Sequence, residues 1–380
     1  MNIELSIVIP CLNEASTLAK AIDMAQNAIE KSGMQGEVVI ADNGSWDDSV
    51  SIAEKLSCRV VKEEKKGYGY ALQKGIRSAA GRYIIIGDAD TTYNFCEAVP
   101  FLEELKKGAD LVLGSRLSGH IAPGAMPFLH RYLGTPVLTF LINLFFGTRI
   151  SDVNCGLRAF TREAFEKLHI ASGGMEFSSE MVVKAGIYRL KTVELPCSLH
   201  ADPRNRKPHL RTWRDGWRHL RLILLFAPHI IFALPGWLML FMGMLVTAIV
   251  LPKPFQAFGL RMDYHYLFYS IPLIILGCQA IWFETFNKYF IYFSGYIPFG
   301  SQTEKPQNNF PLEIWLLLGS ALSLTGIILL VILFIKWVSI SFAYLFQIRL
   351  GIAGMLFLSC GVQTIMNAMM VSMMSIKVRR

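Results

Sequence analysis

Hydrophobic positions change their spacing once along this chain. Up to about residue 220 they come in short runs: LSIVIP (5–10), EVVIAD (37–42), RVVKEE (59–64), RYIIIGD (82–88) and DLVLGSR (110–116). Apolar runs of that length suit strands buried on both faces of a parallel sheet. Most are followed by stretches of helical spacing, such as EASTLAKAIDMAQNAIEKS and YALQKGIRSAAG. The alternation predicts a doubly wound, Rossmann-like α/β domain with a mostly parallel sheet over residues 1–211.

From Leu222 onward the apolar runs are too long for strands. Crossing a bilayer core takes about 20 helical residues. Four segments qualify: 230–251, 266–283, 314–335 and 350–371. The uncharged stretch from Leu222 to Pro252 exceeds one span, and Pro228 and Pro235 predict an interfacial start that bends into the bilayer. The expected order is the α/β domain, an amphipathic interfacial helix at 212–228, and an α-helical membrane domain at 229–380.

Composition agrees with that division. The 380 residues are 53% hydrophobic and 17% charged, and the mean hydropathy is +0.39. The net charge of +8 gathers beside the apolar half, at Arg204, Arg206, Lys207, Arg211, Arg214, Arg218 and Arg221, and again at Lys377, Arg379 and Arg380. Four spans bring both clusters to one face, expected to be cytoplasmic in a plasma membrane such as the bacterial inner membrane. Basic charge placed there suits anionic lipid or phosphate rather than nucleic acid. The N-terminus has no basic segment ahead of its apolar run, so no secretory signal is expected. The seven cysteines show no paired spacing and are expected to be free thiols.

In doubly wound sheets ligands bind at the carboxyl ends of the strands. Polar residues stand at those ends here: Asn13 and Glu14, then Asp42, Asn43 and Ser45, then Asp88 and Asp90, then Ser115 and Arg116. No GxGxxG or GxxxxGK[ST] motif is present, which disfavours a dinucleotide dehydrogenase and excludes a P-loop. Asp88 and Asp90 repel unless a cation lies between them. Carboxylate and phosphate oxygens together suit Mg²⁺ or Mn²⁺, as in a site for a nucleotide diphosphate.

The ordered set SIVIPCLNE, ADNGSWDDS, KKGYGYALQKG, GDADTTY, LGSR and DVNCGLRAF resembles the motifs of family 2 glycosyltransferases with the GT-A fold. It is most similar to polyprenyl-phosphate sugar transferases of the dolichol-phosphate mannose and glucose synthase type, over residues 4–225. The resemblance implies an inverting transfer of sugar from a UDP- or GDP-linked donor to a membrane polyprenyl phosphate such as undecaprenyl or dolichyl phosphate. It implies that Pro10, Asn13 and Glu14 line the nucleotide pocket and that Asp42 holds base or ribose. Asp88 and Asp90 would straddle metal and diphosphate, with Asp90 the more direct ligand, and Arg116 would meet phosphate. Two positions depart from the pattern. Asn43 replaces the second acid of Asp-Asp-Gly-Ser, and Thr92 stands where some members carry a glutamine that completes the metal shell.

On the acceptor side, Asp152 and Arg158 precede a helix, and Arg158 is expected to bind the acceptor phosphate. Relatives with hydroxyl acceptors use a carboxylate in this region as general base. A phosphate acceptor needs none, which leaves Asp152 to orient Arg158 or the sugar. Arg204, Arg206, Lys207 and Arg211 lie in a proline-broken loop suited to clamp a phosphate. Gly67 suits close backbone approach to the donor, while Glu176 and Glu180 either touch sugar, hold arginines of the next loop or form a solvated helix face. The stretch 128–147 is either a helix lying on the membrane or a core helix. Three rivals remain: transfer to a hydroxyl with Asp152 as base, a polysaccharide synthase, whose QxxRW motif is missing, and a non-catalytic membrane scaffold.

Overall fold

The computed structural model describes residues 3–204, 212–257, 260–294, 311–343 and 345–375. They form two compact units, divided between Phe226 and Ala227.

The first unit is built on seven strands: β1 (Leu5–Cys11), β2 (Gly36–Asp42), β3 (Arg59–Lys62), β4 (Tyr83–Ile86), β5 (Leu111–Ser115), β6 (Arg158–Thr161) and β7 (Thr192–Pro196). Their order in the sheet is β3-β2-β1-β4-β6-β5-β7. All pairings are parallel except those of β6, which runs antiparallel between β4 and β5. This is the mostly parallel GT-A sheet expected from the sequence. Strand β1 sits between β2 and β4, with Ile7 opposite Val38 on one side and Ile85 on the other. Leu5, Ile7, Val8 and Ile9 are completely buried, and each contributes about 1.5–3 kcal/mol by leaving water.

Two strands escape the sequence pattern. The β6 segment, RAFT, is four residues long with no apolar run, and takes up strand geometry because two neighbours supply hydrogen bonds. Strand β7 is partly exposed along its length. The antiparallel β6 matters for the site, since it places Arg158 opposite Ile86, beside the acidic tip of β4.

The helices of this unit are α1 (Leu18–Ser32), α2 (Ser49–Lys55), α3 (Tyr68–Ser78), α4 (Val99–Lys106), α5 (Thr135–Phe146), α6 (Arg162–Leu168), α7 (Phe177–Ile187) and α8 (Thr212–Phe226). Helix α1 buries Leu18, Ala21, Ile22, Ala25 and Ala28, the stripe that its spacing predicts. Helix α8 packs on α7 through His219, Leu222, Ile223 and Phe226.

The second unit contains α9 (Leu234–Val250), α10 (Leu267–Phe293), α11 (Leu312–Ser339) and α12 (Ile348–Ser375). Among the described residues, four helical segments are long and apolar enough to cross a membrane: His229–Val250, Tyr264–Phe293, Leu312–Ser339 and Ile348–Met374. They lie where the sequence predicts spans, and the second extends ten residues beyond the expected Phe283. Small residues bring the backbones together, with Gly236, Gly243 and Gly277 between α9 and α10, and Gly319, Gly326 and Gly361 between α11 and α12. Gln279, Gln363 and Asn367 hydrogen-bond one another across α10 and α12.

Candidate functional site

The carboxyl tips of β1, β2 and β4 meet along one edge. Asn13 turns the chain after β1 with φ +59°. Its side-chain oxygen accepts from the Trp46 N–H (2.9 Å), and its own N–H donates to Ser45 Oγ (2.9 Å). The tips of β1 and β2 are thereby sewn together. Asp42 is buried and accepts from the N–H groups of Gly44 and Ser45 (3.1 and 3.0 Å). Pro10 lies at the same level, opposite Ala41.

The departure at Asn43 has a physical reason. Its amide donates to the carbonyls of Glu63 and Lys65 (3.0 and 2.8 Å) and accepts from the Gly67 N–H (2.7 Å). An aspartate only accepts and could not make the two donations. Asn43 therefore clamps the 63–67 segment from below rather than presenting a free side chain to a donor. Gly67 has φ +152°, and a β-carbon there would run into the carbonyl of Gly173, so a side chain fails on both counts.

Beyond β4, Asp88 accepts from the Tyr68 hydroxyl (3.0 Å), a partner the sequence reading missed. Burial and the neighbouring Asp90 charge push the Asp88 carboxyl up to about 7. Asp90 Oδ1 accepts from the N–H and the hydroxyl of Thr92 (3.0 and 2.6 Å). Thr92 thus aims Asp90.

Arg204 enters this edge from far along the chain. Its Nη1 donates to both oxygens of Glu14 (2.6 and 2.7 Å), and its Nη2 to Asp90 Oδ2 (3.0 Å) and Asp202 Oδ2 (2.7 Å). Three carboxylates converge on one guanidinium. This differs from the phosphate clamp expected of Arg204, because acids surround it here. Arg206, Lys207 and Arg211 lie outside the described residues. Asp202, two residues before Arg204, is a partner that the sequence analysis did not name.

The same cluster tests the fit of a divalent cation. Glu14, Asp90 and Asp202 supply hard oxygen atoms that already gather around a positive charge, with Asp88 one residue from its neighbour. Their chemistry suits Mg²⁺ or Mn²⁺, but Arg204 stands between these acids, and among the described residues no three acids, histidines or cysteines are placed to hold an ion directly.

The acceptor-side pair is separate. Arg116 donates from Nε to Asp152 Oδ2 (2.7 Å) and from Nη2 to Oδ1 (2.8 Å), and its backbone N–H also reaches Oδ2 (3.1 Å). Asp152 is 0% exposed, whereas 12% of the Arg116 side chain reaches solvent. Asp152 orients Arg116, not Arg158 as the sequence suggested. Arg158 is also corrected as a phosphate ligand. It is 1% exposed and donates to the carbonyls of Val153, Cys155 and Ser178, so it holds the 153–155 loop and α7 together. Glu180 is buried as well, paired with Lys184 (2.6 Å) and accepting from Ala171 and Ser172 N–H groups, so it does not form a solvated face.

Residues 6–169 match the model of glycosyl transferase family 2, and residues 285–375 match that of the family 2 C-terminal transmembrane region. At 30% identity the chain also covers 67% of the glycosyltransferase AglJ of Haloferax volcanii, aligning 55% of itself. The chain belongs to the family 2 glycosyltransferases.

Within the family, it is 41% identical over 246 residues to the low-salt glycan biosynthesis hexosyltransferase Agl6 of Haloferax volcanii. That alignment takes in 64% of this chain and 59% of Agl6, so the chain spans less than two thirds of that relative. Among solved structures, glucosyl-3-phosphoglycerate synthase of Mycobacterium tuberculosis, in complex with Mn²⁺, UDP and glucosyl-3-phosphoglycerate, aligns with a TM-score of 0.48 at 21% identity, covering 59% of this chain and 80% of that one. The Asp88–Asp90 tip and the β1 and β2 tips all fall inside the matched family region.

Proposed function

We propose that this family 2 glycosyltransferase moves a hexosyl group from a UDP- or GDP-linked sugar to a polyprenyl phosphate on the cytoplasmic face of a membrane. The observation that carries the acceptor choice is the state of Asp152. Both its oxygens are held by Arg116 at 2.7 and 2.8 Å in a dry setting. A carboxylate so engaged makes a poor general base, and a phosphate acceptor, already ionised near neutral pH, requires none. The hexosyltransferase name of Agl6 supports the donor class.

In this reading Pro10, Asn13, Asp42 and Ser45 shape the nucleotide pocket, and Asn43 and Gly67 hold its wall. Asp88 and Asp90, with Glu14 near, would hold a divalent cation. When bound, that cation offsets the negative charge developing on the departing diphosphate. Arg116, locked in orientation by Asp152, presents its solvent-reaching face to phosphate. An acceptor phosphate oxygen bonds to the anomeric carbon as the bond from that carbon to the diphosphate oxygen breaks, which inverts the centre. The products are a nucleoside diphosphate and a polyprenyl-phosphate sugar. A polyprenyl tail gains about 0.8 kcal/mol per buried CH₂ in the bilayer, so the lipid stays there and the enzyme comes to it.

The test uses the full chain in detergent with UDP- and GDP-sugars and either undecaprenyl phosphate or undecaprenol, with Mn²⁺, Mg²⁺ or EDTA. Nucleoside diphosphate release is expected only with lipid phosphate and metal, and the product should be an acid-labile phosphodiester. Release with the alcohol but not the phosphate would transfer the case to the hydroxyl rival.

A further inference from the structure

Helix α5 and the turn before it have two unlike faces. Thr135, Leu138, Thr139 and Ile142 face inward and are buried. The other face carries Phe128 (77% exposed), Tyr132, Leu133, Val137, Phe140 (63%) and Leu144, all open to solvent. Positions 133, 137, 140 and 144 repeat at helical spacing, so they form a continuous stripe. No charged residue occurs from Tyr132 to Phe146, whereas exposed Arg131 and Arg149 bound the stripe at its two ends. Isolated exposed apolar residues are ordinary on a soluble surface, but a continuous stripe is not.

Helix α8 repeats the arrangement and starts beside α5. His130 Nε2 lies 3.1 Å from Thr212 Oγ1, and the two helices pack together within the unit. Trp213 (81% exposed) and Trp217 (59%) stand on the outer face of α8, among Arg214, Arg218 and Arg221. The helix's acid, Asp215, is buried. The outer face is therefore aromatic and basic, which complements an anionic headgroup layer. Arginine stems cover apolar surface while their heads reach phosphates.

We infer that the catalytic unit carries its own membrane seat, with the Leu133–Leu144 stripe entering the acyl boundary of an anionic bilayer while Trp213, Trp217 and the arginines around them engage its headgroups. The four spans would tether the unit, and this seat would fix its height. The seat adjoins the acceptor-side pair. Thr135, at the start of α5, hydrogen-bonds Asn154, two residues from Asp152 (Nδ2 to Oγ1, 3.3 Å). The inference concerns lipid contact and holds whichever acceptor is used.

The full chain reconstituted in vesicles of phosphatidylglycerol and phosphatidylcholine, with p-benzoylphenylalanine in place of Phe140, Leu144, Trp217 or, as a control, Lys20 on α1, tests it by irradiation and mass spectrometry. These positions are exposed, so the core is not disturbed. Lipid adducts are expected at 140, 144 and 217 and not at 20. With phosphatidylcholine alone the yield at 217 should fall by about fivefold, the effect of losing attraction for roughly one basic residue. Adducts to a second copy of the chain would overturn the proposal in favour of a protein contact. Yields at 140 and 144 no higher than at 20 would overturn it in favour of an open, solvated face.

Discussion

Two of the buried ionic clusters in the first unit, one around Arg204 and one around Lys184, are built differently. Around Arg204, the acids Glu14, Asp90 and Asp202 arrive from widely separated strand tips and loops, and up to 28% of their side-chain surface reaches solvent. In α7, Glu180 and Lys184 are one helical turn apart, and both are 0% exposed. Glu180 also caps the N–H groups of Ala171 and Ser172, while Lys184 donates to the His169 carbonyl (2.6 Å). The first cluster borders water, and in the proposed function a divalent cation would take over the charge of its guanidinium. The second is dry and local, and its charges serve the fold. Sequence spacing alone marks the second pair as the more regular feature, yet the first is the one suited to chemistry.

Breaking the first cluster at its proposed metal ligand should have the largest effect. Asp90→Asn is expected to lower kcat/KM by about a thousandfold or more, because several kcal/mol of charge stabilisation is lost at about 1.4 kcal/mol per decade. Hydrogen exchange over the sheet should be unchanged. A loss of less than about tenfold, a fraction of that energy, would mean the strand-tip acids are not the exchange site.

In the second cluster, Glu180→Gln should leave Lys184 uncompensated and cost about 3–5 kcal/mol. Native-state hydrogen exchange over 169–187 would measure it. Replacing both residues with apolar ones should recover only part of the loss, since Ala171 and Ser172 would still lack their acceptor. Full recovery would show that the pair, not the capped backbone, sets the cost.

The dry layer also predicts a pH response. His219 lies 2.7 Å (Nδ1) from Ser179 Oγ, and burial pushes its pKa down to about 4, with Arg158 adding to that and Asp215 opposing it. An unfolded histidine titrates near 6.5. The folded state thus prefers neutral His219. Its contribution is intact above about pH 6.5 and is lost as pH falls toward 4, by up to about 3 kcal/mol. Protection factors in α8, corrected for the intrinsic pH dependence of amide exchange, should fall across that window, and His219→Gln should flatten the profile. An unaltered profile in the variant would exclude His219 as the titrating group.

The smallest effect sharpens the comparison most. Arg204→Gln removes the charge that competes for Glu14 and Asp90, so Mn²⁺ should bind about tenfold more tightly, equivalent to about 1.4 kcal/mol. Electron paramagnetic resonance of free Mn²⁺ would report it in the absence of substrates. Weaker Mn²⁺ binding would show instead that Arg204 organises the acids rather than opposing a cation.

Much of the fold was legible because its signals are local. Runs such as SIVIP and YIIIGD have no polar face to present to water, so they declare buried strands, and the apolar length after Leu222 declares spans. The acidic tip was legible for the same reason, since Asp88 and Asp90 end an isoleucine run. Strand β6 was not, because RAFT becomes a strand through neighbours that follow from topology. Nor were the partners of the arginines. Arg116, Arg158 and Arg204 read alike as phosphate ligands, and only the folded chain separates them by what surrounds each one.

The sequence by itself determined the α/β class, the membrane-length helices, the family and the edge on which polar chemistry gathers, because backbone burial and motif order are written in contiguous residues. Tertiary structure alone decided that Asp152 grips Arg116, that Arg158 serves backbone carbonyls, that Asn43 must be an amide, and that three distant acids share Arg204. Those outcomes depend on distances of about 3 Å between segments as much as 190 residues apart, where charge and hydrogen bonding act and spacing along the chain carries no information.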